Sequence, residues 1–210
     1  MSVEIKICGV KTPEAVDACV ESGATHIGLN LYPPSSRYVS PQQARELRDH
    51  CDGRIKTVIL LVNEGPEETA RAIEAVKPDV VQFHGRETPE WCGLVRERTG
   101  LEVWKAVGMQ NAGSLMRSEK FLGKVDRLLF DAPAKEMPGG TGETFSWGLL
   151  KGHQHRIDWA LAGGLTPENV ADAIRQTGAP LVDTSSGVEV EPGSKDVDLI
   201  ARFCKAALEA

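Results

Sequence analysis

The chain has 210 residues, of which 41% are hydrophobic, and it carries a formal net charge of −6. This length is enough for one well-buried core, so we expect residues 1–210 to form a single domain. The charge is spread along the chain without a basic patch, which argues against nucleic acid and anionic membranes as partners.

Apolar and β-branched runs alternate along the chain with amphipathic stretches of helical length. The runs predict eight strands, at Val3–Ile7, His26–Leu31, Lys56–Val62, Val80–Phe83, Val103–Val107, Arg127–Phe130, Trp159–Ala162 and Pro180–Val182. The amphipathic stretches predict helices at Ala15–Val20, Ala44–His50, Glu68–Val76, Glu90–Arg98, Val170–Gln176 and Leu199–Leu208. Two further helices, near Ala112–Phe121 and Ser146–Leu150, are less clearly marked.

Five of the predicted helix starts share one signal, a capping residue followed by a proline. They are Thr12-Pro13, Ser40-Pro41, Gly65-Pro66, Thr88-Pro89 and Thr166-Pro167. Proline fits the first helical position because the N–H that it lacks would have no partner there. After the helices, Gly23, Gly100 and Gly178 suit the left-handed residue that commonly follows a helix end.

Strands that are separated by helices pair in parallel. Eight such units favour a closed (β/α)8 barrel, the TIM barrel of the α/β class, over an open doubly wound sheet. The open sheet is the alternative. The sequence contains neither a GxGxxG motif nor a P-loop, so nucleotide binding of those kinds has no support.

Cellular location and redox state follow from what the sequence lacks. No apolar run approaches the roughly 20 residues of a membrane-spanning helix, and the first residues do not resemble a signal peptide. We therefore expect a cytoplasmic protein. The five cysteines are odd in number and lack CxxC spacing, so we expect thiols rather than a disulfide framework or a zinc cluster.

In a barrel of this kind the active site lies at the carboxyl ends of the strands, and phosphate binds in the loops after the seventh and eighth strands. Those loops contain Gly163 and Gly164, and then Ser185, Ser186 and Gly187. Glycines let backbone N–H groups approach a phosphate, and serine hydroxyls add donors. Either loop alone is typical of a tight turn, but the occurrence of both loops at these two positions favours a phosphate site.

Cys8 and Asp131 stand at the ends of the first and sixth strands. Side-chain alternation places Lys6 and Cys8 on the inward face, and it directs Asp131 into the same barrel mouth. An acid and a base there could act on opposite sides of one sugar. The reference thiol pKa of ~8.5 is close enough to neutrality for a modest shift to make Cys8 a base. The alternatives are a small buried hydrophobe at Cys8 and a loop cap at Asp131.

Other polar residues follow the predicted strands. Arg37 could clamp an anionic group or lie solvated on its loop, and His84 could line the site or be a satisfied barrel histidine. Gly139–Gly142 is typical of a mobile lid, although glycine turns need no function. His153 and His155 have no third ligand nearby, so we expect polar surface residues rather than a metal pair.

Six motifs occur in order along the chain: Lys6-Ile7-Cys8-Gly9, Tyr32-Pro33 with Arg37-Tyr38, Gln82-Phe83-His84-Gly85, Gly139-Gly140-Thr141-Gly142, Leu161-Ala162-Gly163-Gly164-Leu165, and Val182-Asp183-Thr184-Ser185-Ser186-Gly187-Val188-Glu189. Together they resemble the phosphoribosylanthranilate isomerases of tryptophan biosynthesis. The resemblance extends from residue 6 to Lys195-Asp196, and therefore covers nearly the whole chain.

This resemblance implies an Amadori rearrangement of N-(5-phosphoribosyl)anthranilate to 1-(2-carboxyphenylamino)-1-deoxyribulose 5-phosphate, with no cofactor and no metal. It implies that Asp131 is the general acid that opens the furanose ring and that Cys8 is the general base that removes the C2 proton. It also implies that Arg37 faces the anthranilate carboxylate and that His84 and Asp183 line the site. The partner would be a small phosphorylated substrate, and the assembly a monomer or a homodimer.

The chain departs from many members of that family at Asn30, Pro34, Ser36 and Ser146, none of which is a proposed catalytic group. Two other functions compete. A different phosphate-binding barrel, such as a pentulose-phosphate epimerase or a thiamine-phosphate synthase, would want a metal site that the sequence does not show. A non-catalytic paralogue would bind a phosphorylated metabolite, and the intact Cys8 and Asp131 argue against it.

Overall fold

The structure is a computed structural model that describes residues 3–133 and 145–210. In these ranges the strands are β1 Glu4–Cys8, β2 His26–Asn30, β3 Lys56–Leu61, β4 Val80–Phe83, β5 Glu102–Gly108, β6 Arg127–Asp131, β7 Asp158–Leu161, β8 Leu181–Thr184, β9 Glu189–Glu191 and β10 Ser194–Lys195. The α-helices are α1 Pro13–Glu21, α2 Pro41–Cys51, α3 Pro66–Val76, α4 Pro89–Thr99, α5 Ala112–Ser118, α6 Val170–Thr177 and α7 Val197–Leu208. The predicted glycine lid, Gly139–Gly142, lies outside the described residues.

Strands β1 to β8 form a closed parallel barrel in sequence order. Pairing of β1 with β8 closes it and places Lys6 opposite Asp183. The strands β9 and β10 form a short antiparallel hairpin after β8. The predicted (β/α)8 barrel is therefore confirmed, and the open-sheet alternative is wrong.

Side-chain alternation along the strands divides the buried residues into two clusters. Ile5 and Ile7 belong to the larger cluster, between the sheet and the helices. Cys8 and Leu129 belong to a smaller cluster inside the barrel, and Lys6 is fully buried. The predicted inward face of β1 is thus confirmed, and it carries polar groups into the barrel.

The first four predicted helix starts are confirmed, because α1 to α4 each begin at the predicted proline. The hydroxyls of Thr12, Ser40 and Thr88 accept hydrogen bonds from backbone N–H groups of the first turn. The fifth start is misplaced. The Thr166 carbonyl accepts from the N–H of Val170, where α6 begins, after an irregular turn.

The helices with the weaker signals are shorter than predicted. The region near Ala112–Phe121 holds α5 and then a 3-10 turn at Glu119–Phe121. The region near Ser146–Leu150 holds only a 3-10 turn, at Trp147–Leu149. Gly148 at its centre disfavours a longer helix because glycine loses the most conformational entropy on ordering.

Packed rings and charges fill the amino-terminal end of the barrel. Trp104 is fully buried there, with its ring centroid 5.2 Å from that of His26. The Arg127 guanidinium lies 4.9 Å from the same ring and bonds to the Glu4 carboxylate at 2.7 Å. This packing closes the barrel at the end opposite the mouth.

In the described ranges, no helix is both long enough and apolar enough to cross a bilayer. The five cysteines all lie in those ranges, and each is a free, buried thiol. The prediction of thiols is therefore confirmed.

Candidate active site

A cavity opens at the carboxyl ends of the barrel strands, where the sequence predicts the active site. Its walls include Cys8 from β1, His84 after β4, Asp131 from β6 and Asp183 from β8. Arg37, from the loop after β2, also lines it. The structure thus brings together the predicted acid, base and substrate-binding side chains around one space.

Cys8 contributes the only thiol among the side chains that line this cavity in the described residues. Gly28 on β2 leaves room for the sulfur, since a Cβ there would lie 3.0 Å from Cys8 Sγ. Burial raises the pKa of the thiol, and the nearby cations Lys6, Lys195 and Arg37 oppose that rise. The net direction is upward, which is the opposite of the shift that would make Cys8 a base near neutrality.

Asp131 ends β6, and both of its carboxylate oxygens have partners. Oδ1 accepts from the Ala132 N–H at 2.7 Å, and Oδ2 lies 3.1 Å from His84 Nε2. The amide nitrogen of Gln82 lies 3.1 Å from His84 Nδ1. Because an amide nitrogen only donates, this contact places the imidazole proton on Nε2, which then donates to Asp131. His84 therefore orients the carboxylate across the cavity.

A buried carboxylate holds Arg37 in place. Arg37 Nε and Nη2 donate to the two oxygens of Glu189 at 2.8 and 2.7 Å. Glu189 also accepts from Lys195 Nζ at 2.6 Å. Burial alone would raise the pKa of Glu189, but Arg37 and Lys195 outweigh it and lower the pKa. The predicted anion clamp is thus anchored by a residue far along the chain.

The glycines of the two predicted phosphate loops permit close contacts. Gly163 and Gly164 have φ of +87° and +63°, in the left-handed region that favours glycine. A Cβ at Gly163 would collide with the backbone nitrogen of Ala132, and one at Gly187 would collide with the carbonyl oxygen of Leu165. The loop after β7 can pack against the end of β6 and against the loop after β8 only because both positions lack side chains.

Ser185 and Ser186 line the cavity next to Gly163 and Gly164. Ser185 Oγ donates to the Cys8 carbonyl at 3.0 Å, which ties the loop after β8 to the end of β1. The predicted phosphate loops are therefore adjacent, and four of their five predicted residues face the same space as the thiol. Gly187 packs behind them.

Lys6 and Asp183 form an ion pair below the thiol. Lys6 Nζ donates to Asp183 Oδ1 at 2.8 Å, and the lysine side chain is fully buried. Burial alone would lower the pKa of Lys6, but the charges of Asp183 and Cys8 outweigh it, so the pKa is raised. Lys6 therefore keeps its positive charge inside the barrel.

Sequence reasoning assigns no role to Lys6, Glu189 or Asn30. Asn30 accepts from the Tyr32 N–H at 2.9 Å and donates to Ser35 Oγ at 3.1 Å, so it shapes the loop that carries Arg37. A lysine on an inward strand face is a signal that was available for Lys6. The pairing of Glu189 with Arg37 depends on the closed fold and has no local signal.

His153 and His155 are both half-buried, so the prediction of polar surface residues holds only in part. The His155 ring stacks on Trp159 with a centroid distance of 4.1 Å, and His153 meets it edge-on at 4.6 Å. Aromatic packing explains this pair. Among residues 3–133 and 145–210, no group of three or more His, Cys, Asp or Glu side chains is arranged to hold a metal ion.

Known proteins resemble this chain over its whole length. Residues 5–206 match the family model described as N-(5'phosphoribosyl)anthranilate (PRA) isomerase. The N-(5'-phosphoribosyl)anthranilate isomerase of Erythrobacter litoralis is 59% identical over 98% of this chain and 99% of its own.

Two solved structures share the fold. Phosphoribosyl anthranilate isomerase from Thermotoga maritima superimposes with a TM-score of 0.91 and 38% identity, over 99% of this chain and 100% of its own. A phosphoribosyl anthranilate isomerase in complex with reduced 1-(o-carboxyphenylamino)-1-deoxyribulose 5-phosphate superimposes with a TM-score of 0.88 and 36% identity, over the same shares of the two chains.

Proposed function

The chain belongs to the N-(5'-phosphoribosyl)anthranilate isomerase family, and on that premise we propose that Cys8 and Asp131 are the base and the acid of its reaction. The protein is an aldose–ketose isomerase of tryptophan biosynthesis that acts on a small phosphorylated substrate. One observation carries the proposed roles: a thiol and a carboxyl group line one cavity from different walls of the barrel, β1 and β6.

Asp131 performs the first proton transfer. Its carboxyl group gives a proton to the furanose ring oxygen, the C1–O bond breaks, and the amino nitrogen supplies the electron pair that forms the Schiff base. The carboxylate that remains is stabilised by the hydrogen bonds from Ala132 and His84, because hydrogen bonds to the charged form favour it. The same two contacts keep the group aimed at the ring oxygen.

Cys8 performs the second proton transfer. Its thiolate takes the C2 proton, and the electron pair of the C2–H bond forms a C1–C2 double bond as the iminium nitrogen is neutralised. The resulting enolamine tautomerises to the ketone. The iminium acts as an electron sink and acidifies the C2 proton enough for a sulfur base.

The substrate is held at both ends. Arg37 faces the anthranilate carboxylate, since a planar guanidinium binds carboxylates with directed hydrogen bonds. Gly163, Gly164, Ser185, Ser186 and Gly187 form the phosphate site, where backbone N–H groups and hydroxyls supply donors. His84 and Asp183 line the space between.

Location and assembly are part of the same proposal. The barrel constitutes one domain over residues 1–210 and acts in the cytoplasm, as a monomer or a homodimer. The absence of a cofactor and of a metal stays a prediction.

The test is turnover of freshly prepared N-(5-phosphoribosyl)anthranilate, followed as the loss of its fluorescence. Cys8→Ser and Asp131→Asn should each lower kcat by about 10²–10⁴-fold, the usual contribution of an acid or base group. Cys51→Ser, at a buried thiol on α2, and Asp126→Asn, just before β6, are matched controls that should keep wild-type turnover. Full turnover in Asp131→Asn refutes the acid, and full turnover in Cys8→Ser refutes the base.

A further inference from the structure

A base buried at the barrel mouth needs help to lose its proton. Cys8 is 7% exposed, and burial penalises a thiolate. Charged side chains therefore decide how much thiolate the protein can hold. Those that act on Cys8 are Lys6 on β1, Asp183 on β8, Lys195 on β10 and Arg37 after β2.

Among these four groups, Lys6 has the geometry of a dedicated partner. Lys6 and Cys8 are two residues apart on the inward face of one strand, so a single rigid element fixes their separation. Two of the other three groups are committed to the Glu189 carboxylate. Lys195 donates to it at 2.6 Å and to the Ser185 carbonyl at 2.9 Å. Arg37 donates to both of its oxygens, at 2.8 and 2.7 Å.

Asp183 explains how the barrel interior can hold the charged side chain of Lys6. A fully buried ammonium without a partner would lose its proton or destabilise the fold. Asp183 lies directly across the β1–β8 seam in register with Lys6 and accepts its hydrogen bond at 2.8 Å. A lysine has three donors, so the bond to Asp183 does not exhaust the ammonium, and Cys8 also interacts with it.

We propose that Lys6 is a positioning residue for the isomerisation: its buried ammonium, anchored by Asp183, stabilises the thiolate form of Cys8. This inference rests on the proposed role of Cys8 as the base, which it deepens. Lys6 is not among the side chains that line the cavity, so it acts through Cys8 and not on the substrate. It sets the charge environment below the sulfur, while Gly28 leaves room beside it.

The test measures the thiolate directly, without catalysis. Intact protein is treated with iodoacetamide over a range of pH, and mass spectrometry of the peptide that contains Cys8 gives the alkylation rate at that site. Cys8→Ser provides the baseline. The other four cysteines are at most 1% exposed, so their peptides report any loss of fold in the same samples.

Lys6→Met removes the charge and keeps an unbranched side chain of similar length. We expect the midpoint of the alkylation profile to move about one pH unit upward, which is a roughly tenfold smaller thiolate fraction at neutral pH. Lys6→Arg restores a cation and should return the midpoint toward that of the wild type. The low-pH limb of kcat/KM should move in the same direction as the alkylation midpoint.

Lys105→Met is the matched control. Lys105 is another buried lysine of the barrel, paired with the Glu87 carboxylate at 3.2 Å, and its ammonium bonds to carbonyl groups around β4 and β5. The substitution removes a similar buried ion pair but should leave the midpoint of the Cys8 alkylation profile unchanged. An equal shift of the Cys8 midpoint in Lys105→Met would show that loss of any buried ion pair has this effect, and would overturn the proposal.

If Lys6→Met does not fold, because Asp183 is left buried without a partner, the double variant Lys6→Met/Asp183→Asn is compared with Asp183→Asn alone. The upward shift between those two variants then isolates Lys6. An unchanged Cys8 midpoint in either comparison overturns the proposal. Retained turnover in Cys8→Ser would instead remove the base assignment and leave the alkylation result intact.

Discussion

The two ends of the barrel are built from the same strands but filled differently. At the amino-terminal end, Trp104 is fully buried against His26 and Arg127, and the interior is closed. At the carboxyl end, the charged side chains of Arg37 and Asp183 line an open cavity. Their ion-pair partners, Glu189 and Lys6, lie buried behind them. Buried ion pairs are weak evidence for stability, because desolvation offsets their attraction. Ring packing at one end therefore supports the fold, whereas the charges at the other end serve chemistry.

The largest effect on stability should come from the closed end. Trp104→Ala removes a fully buried indole and should lower the free energy of unfolding by about 3–5 kcal/mol, as measured by urea denaturation. Trp91→Ala, at a partly buried position on α4, is the control and should cost less. At a temperature where Trp104→Ala is folded, its kcat should stay close to that of the wild type. A loss of turnover without a loss of stability would contradict the claim that the closed end serves the fold and the open end serves the chemistry.

An effect on substrate binding is expected at the mouth. Glu189→Gln removes the carboxylate that holds Arg37 and Lys195, so the clamp loses its fixed orientation. Steady-state kinetics should show KM raised about tenfold with kcat little changed, the pattern of an interaction made equally in ground and transition states. The exposed Glu191→Gln, on the same hairpin, should behave as the wild type. An unchanged KM in Glu189→Gln would show that Arg37 needs no anchor.

An effect that grows gradually as the pH falls is expected at the closed end. Burial, followed by the charges of Lys56, Arg127 and Lys6, lowers the pKa of His26 from 6.5 to about 3. Between these two pKa values, His26 is neutral in the folded state and protonated in the unfolded chain, so acid favours unfolding. The stabilising contribution is present above the unfolded pKa and is lost as the pH falls from 6.5 toward 3, by up to ~1.4 kcal/mol per pH unit. His26→Gln should flatten this slope in urea denaturation at several pH values, and an unchanged slope would contradict the assignment.

Local sequence signals predicted most of the architecture. The caps at Thr12, Ser40 and Thr88 mark helix starts because each is satisfied within its own first turn. The inward alternation of β1 and the position of Asp131 after a buried run likewise depend on neighbouring residues only. Such features can be predicted from the sequence because they depend little on contacts with distant parts of the chain.

The features that could not be predicted depend on closure of the barrel. Glu189 meets Arg37 across 152 positions of sequence, and Lys6 meets Asp183 across 177. The direction of the Cys8 pKa shift also depends on the closed barrel, because it results from burial and from charges on several elements. A reference thiol pKa could not give this direction, since it contains no information about burial.

The central claim is that Asp131 and Cys8 act in successive steps on one substrate, and a double variant tests it most directly. Two groups that serve different steps do not multiply their losses, because the slower step alone limits turnover. With Cys8→Ser, Asp131→Asn and the two combined, single-turnover rates should show the double variant within about threefold of the slower single variant. A rate equal to the product of the two separate losses, or wild-type turnover in either single variant, would contradict the account.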